Sequence, residues 1–413
     1  MSGTPPDDPR ADRVAALRWL RTPAGEAATA RAADLVADRV DVLPALARLR
    51  AEVGPDGAGP AWELARLRAR ARATFGDDAD RLLLTADALE QAGRPVLATR
   101  RARRLLAGGA RSVADLGCAS GTDTVALARA GAAVTAVDLD PVARELTAAN
   151  AEALGVADRV QVVAGDVVAL VAAAADGRVA GCDAAVLDPA RRAGGRRQLD
   201  PDRWSPPWST VALLLDRAPA CVVKVAPGLD HARVPDGVEA EWVSAGGSIA
   251  EALLWGRGLS RTWRRASLLL ADGWLLELTA DRDPGTAPVG PVRGWLHEPD
   301  PAAIRSGLVA LVAADLGATL VDPTIAYLTS DGPADSPWVS SHAVTDVLPF
   351  NLKKLRALLR ARGVGRVTVK KRGSPIEPES LARQLRSPGS GTAVVVVTRV
   401  AGAPTVLVCD VSG

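Results

Sequence analysis

The stretch VADLGCASGTDTVALA, residues 113–128, constrains the fold of this chain more than any other. A β-branched run ends in Asp115, a turn rich in small residues follows, and a helical run then begins. Gly117 and Gly121 permit backbone angles and close approaches that a Cβ forbids. The helix after them offers unpaired N–H groups at its start, with Thr122 read as its cap. Such a turn suits a nucleotide-like ligand lying against the backbone. A dinucleotide site requires G-x-G-x-x-G, so that the pyrophosphate reaches the helix end. The pattern here is D-x-G-x-x-x-G, with an acid where a pyrophosphate site avoids negative charge. Asp115 suits a ligand that carries an ammonium group.

Two further acids follow in the same style. In AVTAVDLDP, residues 133–141, Asp138 ends a second strand, 23 residues after Asp115. An acid there can accept both hydroxyls of a ribose. In VQVVAGDV, residues 161–168, Asp166 follows a third strand and can accept from an adenine amino group. One strand-end Asp is commonly a turn or helix cap. Three of them behind one glycine turn point to a nucleotide-type cofactor.

Short β-branched runs alternate with helical segments from residue 96 onward. Strands are predicted at Ser112–Leu116, Ala133–Asp138, Val160–Ala164, Ala184–Leu187, Cys221–Val225, Glu239–Ser244 and Ile249–Trp255. Helices are predicted at Asp123–Ala130, Pro141–Leu154, Val167–Ala175 and Ser209–Arg217. This alternation means βαβ units and a parallel sheet. The last two strands are joined only by Ala245–Ser248, too short for a crossover, so they form a hairpin. Residues 1–95 read as helices with apolar spacing in Val14–Leu20, Ala33–Leu49, Leu64–Ala73 and Leu82–Leu89, broken by Gly and Pro clusters, one of them Gly54–Pro60. They carry no visible chemistry.

Residues 96–262 resemble the class I S-adenosylmethionine-dependent methyltransferases, including the closing hairpin of that fold. The resemblance implies a Rossmann-like, seven-stranded α/β sheet and S-adenosyl-L-methionine as cofactor. It places Asp115, Gly117, Cys118, Ala119, Gly121 and Thr122 in the methionine-side turn, Asp138 and Leu139 at the ribose, and Asp166 and Val167 at the adenine. Ala119 stands where many members have a third glycine.

The fourth strand ends in AAVLDPARRAGGRR, residues 184–197, and in this family the following loop faces the methyl donor. Asp188-Pro189 resembles the D-P-P or N-P-P-Y motif of enzymes that methylate amino groups of bases. Ala190 and Arg191 replace its last two positions, a form more like RNA methyltransferases acting elsewhere on a base. The expected catalytic residues are Asp188, Pro189 and Arg191, with Asp188 also touching the cofactor and accepting or orienting the proton of a nitrogen nucleophile. Cys221 lies within an apolar strand and is read as core, not as a nucleophile. Arg192, Arg196 and Arg197 suit phosphate clamping, and Trp204 and Trp208 read equally as base-stacking or core residues. Lys224 leaves the fifth strand near the same crevice, where a substrate contact and a structural ion pair are equally open. The three histidines have no metal-ligand spacing, so no metal is expected.

Near the C-terminus, KKLRALLRARGVGRVTVKKR (residues 353–372) has nine basic residues and no acid, and residues 336–413 carry 12 basic against 4 acidic side chains. A folded basic face of this kind attracts a polyanion by counterion release. Lys353, Lys354, Arg356, Lys370, Lys371 and Arg372 are the expected RNA contacts. The surrounding sequence resembles a THUMP-like domain, and residues 264–335 resemble a small ferredoxin-like module. The implied division is 1–95 helical, 96–262 methyltransferase, 263–335 ferredoxin-like and 336–413 THUMP-like. THUMP domains are associated with RNA, so the expected substrate is a base of structured RNA, tRNA or rRNA. A small-molecule methyltransferase, or an RNA-binding protein with a non-catalytic cofactor site, is the alternative. No apolar run reaches the ~18 residues of a membrane span. Four separated cysteines argue against a disulfide framework, so the cytoplasm is the expected compartment.

Overall fold

The computed structural model describes residues 9–193 and 196–410. The described residues form two compact units, one within residues 9–238 together with 253–261, the other residues 239–252 with 262–410.

The first unit opens with α1 (Pro9–Leu20), α2 (Pro23–Ala37), α3 (Val42–Phe75), α4 (Ala86–Gln91) and α5 (Pro95–Ala107). Thr22 caps α2 by accepting the Gly25 N–H, and Pro23 occupies the first turn, where its missing N–H costs nothing. The single helix expected over Ala33–Leu49 is interrupted, because Arg39 takes a positive φ of 56° and α3 restarts after Asp41. Gly54–Pro60, expected as a break, is crossed by α3 with a kink. Gly54 turns to φ 80°, which places Pro55 at the start of the second half of the helix. Leu82, Leu83 and Leu84, expected to be helical, are buried outside any helix. These helices share a core with Val142, Leu146 and Ala149 of a later helix.

There follow β1 (Ser112–Leu116), α6 (Thr122–Arg129), β2 (Ala133–Asp138), α7 (Pro141–Ala153), β3 (Val160–Ala164), α8 (Val167–Ala173) and β4 (Ala184–Leu187). A two-residue ribbon, β5 (Arg192–Ala193) with β6 (Arg196–Arg197), precedes α9 (Trp208–Arg217) and β7 (Cys221–Val225). The five main strands are parallel in the order β7-β4-β1-β2-β3. The bounds of all five match the sequence expectation. They are near-continuous apolar runs because helices cover both faces, and β4 and β7 are buried at every position. Parallel pairing brings the carboxyl ends of β1, β2, β3 and β4 to one edge, where an open α/β sheet takes its ligand.

In the second unit β8 (Glu239–Ala245) turns through Gly246 and Gly247, both at positive φ, into β9 (Ser248–Trp255), whose last three residues belong to the first unit. β10 (Arg264–Leu269) runs parallel to β8, and β11 (Leu275–Ala280) antiparallel to β10. These two strands join the sheet and raise its count from the expected seven to nine.

The rest comprises β12 (Trp295–Pro299), α10 (Pro301–Arg305), α11 (Val309–Asp315), β13 (Thr319–Asp322), β14 (Ile325–Ser330) and β15 (Val339–Pro349). These are followed by α12 (Leu352–Ala361), β16 (Val364–Lys371), α13 (Pro378–Leu385), β17 (Gly391–Val400) and β18 (Ala403–Cys409). α10 and α11 are separated at Gly307, which takes φ 80°. The seven strands lie in the order β13-β14-β12-β15-β18-β17-β16. Leu355, Leu359, Leu381 and Leu385 of α12 and α13 pack on Val395, Val397 and Val406. Leu296, Tyr327, Val396 and Leu407 form a second core.

Candidate active site

The turn after β1 is held from behind by β2. Gly117 and Cys118 both donate their N–H groups to Val137 O, at 2.8 and 3.1 Å. Gly117 and Gly121 each take φ 83°, so both glycines meet a backbone need. A Cβ at Gly121 would stand 3.2 Å from Thr147 Cγ2 on α7, and one at Gly117 would stand 3.4 Å from Asp188 O. Thr122 is the first residue of α6 and not its cap; Gly121 takes the cap position in a left-handed conformation. Thr147 Oγ1 donates to Ala119 O at 3.1 Å, and Asn150 Nδ2 donates to Ser120 O at 3.0 Å and Leu83 O at 3.1 Å. The Leu83 N–H returns a bond of 2.7 Å to Asn150 Oδ1. Cys118 is buried, and desolvation pushes its thiol far up.

Asp115 is 3% exposed and accepts from the Thr124 hydroxyl. Burial, with Asp123 close by, pushes its carboxyl up to about 7. Asp138 is half-buried and accepts the Ala119 N–H at 3.2 Å and the Asp140 N–H at 2.9 Å. The residue after it, Leu139, is 66% exposed, a large apolar side chain left open beside a strand-end acid. Asp166 is exposed and caps α8 through the Val168 N–H at 2.9 Å. Val167 points into the core, while Val168, which the sequence reading passed over, is the exposed member of the pair.

Asp188, at the end of β4, joins a buried ionic chain. Arg101 on α5 is 1% exposed and donates to Asp123 Oδ1 through Nε at 2.9 Å and Nη2 at 2.6 Å. Asp123 Oδ2 lies 3.4 Å from Lys224 Nζ, and Lys224 Nζ lies 2.7 Å from Asp188 Oδ2. Burial opposes ionisation of Asp123, but Arg101 and Lys224 outweigh it and bring its carboxyl down to about 2. Asp115 and Asp123 are thus pushed in opposite directions, because Asp115 has burial without a cation bonded to it and Asp123 is held by Arg101 and Lys224. A positively charged ligand beside Asp115 would offset the cost of its burial by stabilising the ionised carboxylate. The residues fit a cationic nucleoside cofactor.

Pro189 is buried, and Arg191 Nη1 donates to Val225 O at 3.0 Å. Trp204 is 3% exposed, donates its indole N–H to Gln198 O at 3.3 Å and stacks edge-on with Trp208. Trp204 therefore belongs to the core. The side chains of Arg192, Arg196 and Arg197 lie outside the described residues. Burial pushes the Cys221 thiol up to about 12, which removes it as a nucleophile at neutral pH. His297 lies between Ser341 Oγ and Ser330 Oγ, a structural arrangement, and the described residues contain no cluster suited to a metal ion.

In the second unit, Lys370 and Arg372 bond Glu298, Lys371 bonds Glu377 and Arg356 Nε bonds Gln384 O. Within residues 336–413, the exposed cations without an ion pair among the described residues are Lys353, Lys354, Arg360, Arg366, Arg383 and Arg386.

Three family profiles match the chain: a methyltransferase domain over residues 113–193, a THUMP domain-like profile over 339–411, and a domain of unknown function over 12–71. An uncharacterized S-adenosylmethionine-dependent methyltransferase of Mycobacterium tuberculosis, in strains H37Rv and CDC 1551, is 34% identical over 356 residues, 82% of this chain and 92% of that protein. The crystal structure of a protein assigned as a methyltransferase from Porphyromonas gingivalis W83 aligns with TM-score 0.70 at 18% identity. It covers 98% of this chain and all of the other, a likeness of fold. No helix among the described residues is long and apolar enough to cross a membrane. The chain belongs to this family of class I S-adenosyl-L-methionine-dependent methyltransferases with a C-terminal THUMP-like domain.

Proposed function

We propose that the enzyme methylates a base of structured RNA, tRNA or rRNA, by direct transfer to a nucleophilic atom. When bound, the cofactor supplies a methyl group activated by its sulfonium. Asp115 takes the side of the methionine ammonium, Asp138 the ribose hydroxyls and Asp166 the adenine amino group, with Leu139 and Val168 offering apolar cover for the base. Asp188 accepts or orients the proton of the nucleophile, Pro189 shapes the loop, and Arg191 closes it against β7. Residues 1–95, 96–262, 263–335 and 336–413 serve as helical, catalytic, ferredoxin-like and RNA-docking segments.

The observation that carries the reading is the set of six exposed cations on α12, β16 and the α13 region of the THUMP-like domain, none held in an ion pair among the described residues. A merely solvated surface interleaves acids with its bases. Of the cations expected to touch RNA, Lys353 and Lys354 keep that role. Lys370, Lys371 and Arg372 are engaged with glutamates and Arg356 with a carbonyl, so Arg360, Arg366, Arg383 and Arg386 join the contact set. The test is transfer of tritiated methyl from S-adenosylmethionine to total RNA from cells lacking the gene. Label is expected in RNA and should vanish with Asp138→Ala. Label confined to small molecules would overturn the reading.

A further inference from the structure

Lys224 is one of five lysines, and the other four fall within residues 353–371. In a chain that otherwise uses arginine, this lysine is buried at the carboxyl end of β7, its side chain 11% exposed. We propose that Lys224 is a positioning residue that clamps the Asp188 carboxylate at the methyl-transfer site, and that Arg101 and Asp123 hold the clamp from behind. This rests on the reading above that Asp188 faces the methyl donor.

A lysine alone holds a carboxylate poorly, because its stem is flexible and its ammonium is a point charge without the planar fork of arginine. Here the freedom is removed at both ends. The stem issues from a strand buried at every position, and the ammonium is drawn to Asp123 at 3.4 Å as well as to Asp188 at 2.7 Å. Asp123 is fixed in turn by two bonds from the rigid guanidinium of Arg101. The backbone at Gly93, between α4 and α5, covers the chain, since a Cβ there would come 3.5 Å from Lys224 Nζ and 3.8 Å from Arg101 Nη2.

The segment beyond Asp188 is tied down independently. Arg191 reaches Val225 O, one residue after the lysine, and Ala190 exchanges two backbone bonds with Ser205 at 2.7 and 3.0 Å. Without Lys224, the neighbouring carboxylates Asp115, Asp123 and Asp188 would keep Arg101 as the remaining cation of this ionic chain. Mutual repulsion would then swing out the most exposed of them, Asp188, whose side chain is 32% exposed. Direct methyl transfer depends on alignment, and a displacement of about 1 Å can cost about 100-fold in rate.

The low lysine count makes the clamp observable. Protein labelled with nitrogen-15 at lysine Nζ should show a slowly exchanging ammonium signal for Lys224, identified by its loss in Lys224→Arg. The signal should move in the near-isosteric Asp188→Asn and Asp123→Asn variants. A signal unmoved by Asp188→Asn overturns the proposal. In methyl transfer to total RNA, Lys224→Met should lose about 100-fold in turnover with KM for RNA unchanged, and Lys224→Arg should recover part of it. Unchanged turnover in folded Lys224→Met also overturns it. If the wild-type enzyme leaves RNA unlabelled, the RNA reading fails while the ammonium signal still decides the clamp.

Discussion

Ala119 has φ 50° in the glycine turn after β1. The left-handed conformation costs a non-glycine residue roughly 1–2 kcal/mol. It persists because the Ala119 N–H donates to Asp138 and its carbonyl accepts from Thr147, so both sides of the residue are fixed. Glycine would remove the strain but cost roughly 0.5–1 kcal/mol in unfolded-state freedom. Ala119→Gly should therefore raise stability by about 0.5–1 kcal/mol in urea unfolding and leave cofactor affinity in place; a loss of stability would contradict the strain. Asp115 gives a pH dependence with a defined sign. Its folded-state pKa, about 7, lies above the unfolded value, so the folded form binds the extra proton. Stability of the free enzyme from this group is present at low pH and is lost as pH rises through about 4 to about 7. Asp123 works the other way, contributing stability above the unfolded value that is lost as pH falls through about 2. A cationic cofactor favours the ionised Asp115. Calorimetry should find affinity for S-adenosylmethionine falling below pH 7, with proton release on binding; affinity rising on acidification would remove Asp115 from the ammonium site.

The turn depends on elements outside its own motif. Asn150 on α7 bonds Ser120 O, Leu83 O and the Leu83 N–H, fastening the buried segment before α4 to the glycine turn after β1. Asn150→Ala leaves buried groups without partners, at about 1–3 kcal/mol each before relaxation. A loss of at least about 2 kcal/mol is expected in denaturant unfolding, and a neutral result would show that these bonds hold nothing. On α12, Lys353→Glu with Lys354→Glu should weaken RNA binding and lower the slope of log affinity against log salt by about 2. An unchanged slope would remove that helix from the interface.

β1 to β4 were legible because each is a short, mostly apolar run that ends at or just before Gly or Asp, and β7 because it is a Val-rich run stopped by Ala226-Pro227. Asp115, Asp138, Asp166 and Asp188 were legible as a set because parallel strands must bring their ends together. Arg101 and Asp123 were not. Their ion pair joins two helices 22 residues apart and leaves no periodic trace in the sequence. Val339–Pro349 was passed over as a strand because it is polar in its first half and changes partner along its length, from β12 to β18. For β10 and β11, nothing local told which sheet they would extend.

At the scale of the whole molecule, the formal charge of +2 conceals a sharp division. Residues 336–413 carry 12 basic and 4 acidic side chains, so the preceding residues, with 38 basic and 44 acidic, are acidic overall. A total near neutrality would normally argue against a polyanionic partner. Concentrating the excess in one folded domain restores the argument, because counterion release depends on local charge. On the proposed function, this domain and the cofactor-binding domain serve one reaction on RNA. Mass spectrometry of nucleosides from RNA of cells with and without the gene tests it most directly. A methylated nucleoside should disappear on deletion and return with the wild-type chain but not with Asp138→Ala; identical nucleoside profiles in the two strains would contradict the account.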